Sequence, residues 1–160
     1  MSYFEVATSY PYFYYKNSAD QEQGNSTVFA FDTKVYDNGN TATNGNTVIS
    51  NRFNAPQKGL YFINVTVSII NQSSPSSDPF KWGIYQTNSA NTAIYSTVVY
   101  DEWESQVTTG IEYNKSLSSI FFMNSGDKIY VSRETTGSGT IQILSENRCH
   151  FSGYLICPFS

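Results

Sequence analysis

The sequence predicts an all-β chain, folded as an antiparallel sandwich or jelly roll of eight to ten strands. Three observations carry that expectation. Aromatic residues reach 16% while charged residues fall to 14%, which suits the broad faces of sheets and makes poor material for exposed helices. Apolar and polar side chains alternate with period two through the middle of the chain. Clusters rich in Gly, Asn, Ser and Pro punctuate the sequence every 8–12 residues, and no segment of useful length shows a helical period.

Taken in order, the chain begins with an aromatic arm or first strand over residues 1–26. Tyr3, Phe4, Tyr10, Tyr12, Phe13, Tyr14 and Tyr15 crowd its first fifteen positions. So many rings are too apolar to stay in water, since burying one yields about 1.5–3 kcal/mol. The arm is expected to dock, either on its own sandwich or on a neighbour. The second part, residues 27–160, is read as one jelly-roll domain. TVFAFDTKVYD (27–37) reads as a strand closed by the Asp37-Asn38-Gly39-Asn40 turn. TATNGNTVISN allows a second short strand or an ordered loop.

The clearest strand follows Pro56 and Gly59. Tyr61, Ile63, Val65, Val67 and Ile69 share one parity, opposed by Asn64, Thr66 and Ser68, with Phe62 alone breaking the polar face. NQSSPSSDP reads as a loop, and KWGIYQTN with AIYSTVVYDEW as a hairpin. SQVTTGIEYNKSLSSIFFM suggests two weaker strands. A turn at Asn124-Ser125-Gly126-Asp127 leads into KIYVSRE, TTGSG turns again, and IQILSEN and RCHFSGYLICPF finish the chain. Gly59 is expected to permit a tight or positive-φ entry, and Gly153 a close backbone approach.

Length and charge narrow the function. At 160 residues the chain is one domain's worth of core. A net charge of −4 and a pI near 4.8 argue against nucleic acid, which needs clustered Lys and Arg. No apolar run approaches the ~18 residues that would suggest membrane insertion. The N-terminus lacks the basic start and apolar core of a secretory signal peptide. Cys149 and Cys157, if joined by one strand, lie roughly 26 Å apart. A bridge needs Cα atoms within about 7 Å, so two free and mostly buried thiols are expected.

Three segments then match one family in order and spacing. Phe53-Asn54-Ala55-Pro56 with Gly59-Leu60-Tyr61-Phe62, the Gly126-Asp127-Lys128-Ile129 turn, and Phe151-Ser152-Gly153-Tyr154-Leu155 resemble the corresponding motifs of C1q-like domains. The resemblance runs over about residues 27–158. It implies the fold of the C1q and tumour-necrosis-factor superfamily: a ten-stranded antiparallel jelly roll that forms a compact homotrimer and serves as a recognition head. Two departures stand beside it. No Gly-X-Y run precedes the domain, and QTNSANTA replaces the short hairpin turn common among relatives.

Strands that are apolar on both faces need a second partner. Phe62, Phe121, Phe122 and Tyr154 are therefore expected at the trimer interface, by analogy with where the family buries such rings. Asp101, Glu102, Trp103 and Glu104 form an acidic and aromatic loop that suits a ligand patch; Trp103 could equally cap the core. Tyr10, Tyr12, Phe13, Tyr14 and Tyr15 make up the assembly arm. Some C1q-like trimers hold calcium, for which Asp101, Glu102 and Glu104, or Asp37 with Asn38, are the candidate ligands, although no EF-hand pattern exists. No metal or other cofactor is assigned.

Catalysis has little to rest on. His150 is the single histidine, and its neighbour Cys149 should point to the opposite face of the same strand. One histidine and two distant cysteines give no zinc spacing. Sequons at Asn25, Asn64, Asn71 and Asn114 arise readily in so Asn-, Ser- and Thr-rich a chain. The expected function is non-enzymatic: a trimeric head that binds a protein or glycan partner as a structural or receptor-binding part of a virion, fibre or surface assembly. The alternative is a secreted C1q-like recognition or signalling protein, lectin-like or cytokine-like.

Overall fold

A computed structural model describes residues 10–23, 28–38, 48–71, 80–90, 92, 99–103, 110, 112–133, 141–145 and 148–160. They hold twelve strands: β1 (Tyr12–Lys16), β2 (Gln21–Gln23), β3 (Thr33–Asp37), β4 (Val48–Ile49), β5 (Arg52–Asn54), β6 (Gly59–Asn71), β7 (Phe80–Thr87), β8 (Val99–Trp103), β9 (Glu112–Met123), β10 (Lys128–Arg133), β11 (Ile141–Ile143) and β12 (His150–Pro158). Ten were expected; four of the twelve, β2, β4, β5 and β11, are only two or three residues long. All pairing between strands is antiparallel.

The strands form two sheets. In the smaller the order is β4-β5-β10-β7-β8. In the seven-stranded sheet, β6 pairs with β9 along one edge. Its other edge pairs first with β12 and then with β11, because Ile69 and Ile70 are already matched to β9 when β11 joins them. Beyond β12 come β1 and β3, and beyond β11 comes β2.

The core lies between the sheets, filled from β6 by Tyr61, Ile63, Val65, Val67 and Ile69, the parity the sequence singled out. Trp82, Ile84, Ile129 and Val131 face them from the smaller sheet. Rings bridge the layers: Phe13 stacks on Phe53 at 4.4 Å, and Phe53 meets Tyr61 edge-on at 5.4 Å. Burial also raises the phenol of Tyr61 to about 12, although its hydroxyl donates to the Gln57 carbonyl at 2.7 Å.

The three motif segments meet around the start of β6. Ala55 N–H donates to Asp127 O at 2.9 Å, Gly126 N–H donates to Ala55 O at 2.8 Å, and Ser125 Oγ donates to Pro56 O at 3.2 Å. The Phe-x-Ala-Pro entry is thereby locked to the Gly-Asp turn, where Gly126 adopts a positive φ of 86°. The third segment lies along the first, with Tyr154 opposite Phe62 and Leu155 opposite Tyr61. A Cβ on Gly153 would stand 2.7 Å from Phe62 O and 2.8 Å from Phe13 Cε1, so β12 can pack this tightly only with glycine there. Gly59 is needed for the same reason and not for a positive φ: its Cβ would meet Cys157 O at 2.5 Å.

Several expectations change. The aromatic arm, from Tyr12 onward, is a first strand: β1 pairs with β12 and β3 and sends Phe13 and Tyr15 into the core. Residues 1–9 lie outside the described residues. The segment at 27–37 is not one strand. Val28 bridges to Ser132 and Phe29 N–H bonds Val131 O in the smaller sheet, whereas β3 belongs to the larger. Phe29 and Phe31 fill the core on the way across. Of the expected pair of weak strands before Asn124, the second is the twelve-residue β9, whose alternating polar positions match β6 residue for residue, and residues 105–109 and 111 lie outside the described residues. Cys157 is exposed, not buried, because β12 bulges between Leu155 and Cys157.

Candidate functional site

The outward face of the seven-stranded sheet carries the strongest functional signal, and it is built by register. Tyr12 on β1 sits opposite Tyr154 on β12, Tyr154 opposite Phe62 on β6, and Phe62 opposite Ile120 on β9. Tyr36 of β3 extends the row, with its ring 5.4 Å from that of Tyr12. Phe62 and Tyr154 also meet at 5.4 Å. A second apolar step follows, where Leu60 lies opposite Phe122 and Phe122 meets Phe159 at 5.8 Å. Ile120 is 56% exposed, Tyr154 50% and Phe122 48%, so in the isolated protomer this belt faces water. An open cleft of about 470 Å³ runs along it, lined by Tyr12, Tyr36, Phe62, Tyr154, Asn64 and Ser152.

Toward the other end of β6 the same face turns polar. Thr66 and Ser116 hydroxyls bond across the strands at 2.7 Å. Ser68 Oγ donates to Glu112 at 3.0 Å and also touches Asn114 Oδ1. Arg148 and Glu112 form a 2.6 Å ion pair. Between the two halves sits His150, half-buried, its ring stacked on Tyr14 at 5.3 Å and its Nε2 3.1 Å from Asn64 Nδ2. Burial first, and then the nearby Lys16 ammonium, lower the imidazole below its ordinary value.

The expected interface residues separate. Phe62, Phe122 and Tyr154 lie on this outward face. Phe121 does not; it is 2% exposed and packs in the protomer's own core, because it shares the parity of Met123 and pairs with Tyr61. Ile120, which shares the parity of Phe122, was missed, and the SSIFFM alternation could have revealed it once Phe121 was assigned inward. Of the assembly arm, Tyr12 and Tyr14 belong to the outward face, Tyr10 is exposed beside it, and Phe13 and Tyr15 are buried beneath it. Tyr15 is additionally anchored by donating to Asp37 Oδ2 at 2.8 Å.

Asp101, Glu102 and Trp103 are in strand β8 at the edge of the smaller sheet, paired with Trp82, Lys81 and Phe80, and not in a loop. Glu104 lies outside the described residues. Of the second candidate calcium pair, Asp37 accepts the Tyr15 hydroxyl. Asn38 Oδ1 accepts Tyr12 N–H at 2.7 Å and its Nδ2 donates to Tyr10 O, so both side chains serve to tie β1 to β3. Among the described residues no three His, Cys, Asp or Glu side chains converge as a metal site would need. Cys149 and His150 do face opposite ways: the thiol is buried against Ser68, and burial pushes it up to about 11.

No protein-family model matches the sequence, and no curated protein does. Solved structures do match. An Eiger TNF from S. frugiperda superposes with a TM-score of 0.70 at 11% identity, over 94% of this chain and 95% of that one. The globular domain of a zebrafish complement 1qA protein gives 0.64 at 13% identity, over 94% of this chain and all of the other. The chain therefore has a C1q/TNF-like fold, an antiparallel two-sheet sandwich.

Proposed function

We propose that the protein is a non-enzymatic, homotrimeric C1q/TNF-like head that assembles through the outward face of its seven-stranded sheet. The observation that carries this reading is the apolar row Tyr36, Tyr12, Tyr154, Phe62 and Ile120, continuous across five strands and, Phe62 apart, about half-exposed in the single chain. Such a belt, rich in aromatic residues and poor in charge, has the composition of an interface core, and the polar half of the face has that of a rim. The trimeric form follows the resemblance to C1q-like domains.

The trimer then presents its remaining surfaces to a protein or glycan partner. Asp101, Glu102 and Trp103, in the last strand of the smaller sheet among the described residues, are the proposed contact, and the assembly is proposed to be a component of a virion, fibre or extracellular surface. Light scattering tests the core of the reading. The purified chain should have a mass of about three times its 18.0 kDa at micromolar concentration. Ile120→Asp should give an 18.0 kDa species with an unchanged circular-dichroism spectrum. An 18.0 kDa mass for the unaltered chain would overturn the assembly.

A further inference from the structure

The belt and the polar rim meet at one titratable side chain. His150 is the chain's only histidine and lies on the outward face, in register with Lys16 of β1 and Thr66 of β6. Its imidazole is held on two sides. One ring face stacks on Tyr14, and Nε2 lies 3.1 Å from an amide nitrogen of Asn64, which can only donate. With the amide in this orientation Nε2 is the accepting nitrogen of a neutral ring. Among the described residues, the charged and titratable groups beside it on this face are Lys16 and Tyr14 from β1; β6 places Asn64 and Thr66 next to it, and β12 places Ser152 there, with Tyr154 one step further along. Arg148, at the rim, is already matched to Glu112. None of these neighbours is a carboxylate that would welcome a proton on the ring.

We infer that His150 makes self-association of this face sensitive to mild acid: the chain assembles with the imidazole neutral, and protonation opens the assembly. The inference rests on the proposed homotrimer. Covering the face with a second copy removes the water that reaches the half-buried ring, which disfavours the cation further. Protonation also costs the accepting lone pair used by Asn64 and sets a second positive charge beside Lys16. The sign follows from linkage. The assembled state binds the proton less readily than the free chain, so association is full above the ordinary imidazole range near 6.5 and weakens as pH falls below it. Each unit of further lowering multiplies dissociation by about tenfold per copy once the free chain is protonated. Between pH 6.5 and about 5 ordinary carboxylates stay mostly ionised, an α-amino group is already protonated, and ordinary lysines and tyrosines do not change. The single histidine is then the group available to produce a transition.

Sedimentation velocity from pH 7.5 to 5.0 tests the inference, with the unaltered chain beside His150→Gln, which keeps an acceptor for Asn64 and cannot titrate. The unaltered chain should shift from the assembled to the single-chain species on acidification, while His150→Gln stays assembled throughout. Lys16→Met, which leaves the histidine in place, should move the transition toward neutral pH. Proton NMR of the lone imidazole should titrate below 6.5 in the assembled protein. Overlapping transitions for the unaltered chain and His150→Gln, or no transition in either, would overturn the switch while leaving the assembly intact. A single-chain mass already at pH 7.5 would overturn the assembly and the switch with it.

Discussion

Replacing Phe13 with Ala tests whether the aromatic segment at the N-terminus is a structural strand of the sandwich. Phe13 is fully buried, stacked on Phe53 at 4.4 Å and set edge-on to Phe151 at 4.9 Å, with its Cε1 beneath Gly153. It touches both sheets, so truncation leaves a cavity that neither can easily close. Phenylalanine-to-alanine changes at such sites cost about 3–5 kcal/mol. For a domain of this size each kcal/mol moves the thermal midpoint by about 2–4 °C, so a fall of about 6–20 °C is expected. The control is Tyr12→Ala, one residue away on the exposed side of β1, which should alter protomer stability by no more than about 0.5 kcal/mol when both changes are made in the single-chain Ile120→Asp variant. Calorimetry at one fixed protein concentration separates the two. If both variants melt alike, within a few degrees of the Ile120→Asp parent, β1 is not the core strand described above.

Gly153→Ala should cost about 1–3 kcal/mol by overpacking, read as a lower denaturant midpoint, because its Cβ would press on the backbone oxygen of Phe62; an unchanged midpoint would count against the tight approach of β12 to β6. Cys149, with its thiol pushed up to about 11, should stay unmodified by a thiol reagent at pH 8 until the chain unfolds. Rapid labelling of both cysteines would contradict its burial. Tyr61, raised to about 12 by burial, favours the folded state fully below the ordinary phenol value of 10.0, and that contribution is lost as pH climbs through its folded value. Denaturation measured from pH 9 to 11.5 should therefore show a shallower loss for Tyr61→Phe than for the unaltered chain.

Much of the fold was legible because the residues that determine it are local. The parity of Tyr61 to Ile69 names the buried face of β6, and the Ala55, Gly126 and Gly153 segments mark where backbone pieces must meet. What sequence reasoning missed depends on register between distant strands. Phe121 and Phe122 are equivalent as letters; only pairing of Tyr61 with Phe121 sends one inward and leaves the other with Ile120 outside. The arm was ambiguous for a similar reason. Phe13 and Tyr15 alternate with Tyr12 and Tyr14 as a strand should, but every position is aromatic, so hydropathy alone could not tell the core face from the outer one. His150 was dismissed as a catalyst on sound local grounds, and its place between the apolar belt and polar rim emerges only when β1, β12 and β6 are laid side by side.

The central claim is that chains meet through the outward face of the seven-stranded sheet. Hydroxyl-radical footprinting at concentrations above and below the association midpoint tests it most directly. Tyr12, Ile120, Phe122 and Tyr154 should become protected as the chain assembles, while Tyr130, stacked with Tyr85 on the smaller sheet, keeps its reactivity. Protection of Tyr130 with continued labelling of Ile120 and Tyr154 would place the contact on the wrong sheet and contradict the account.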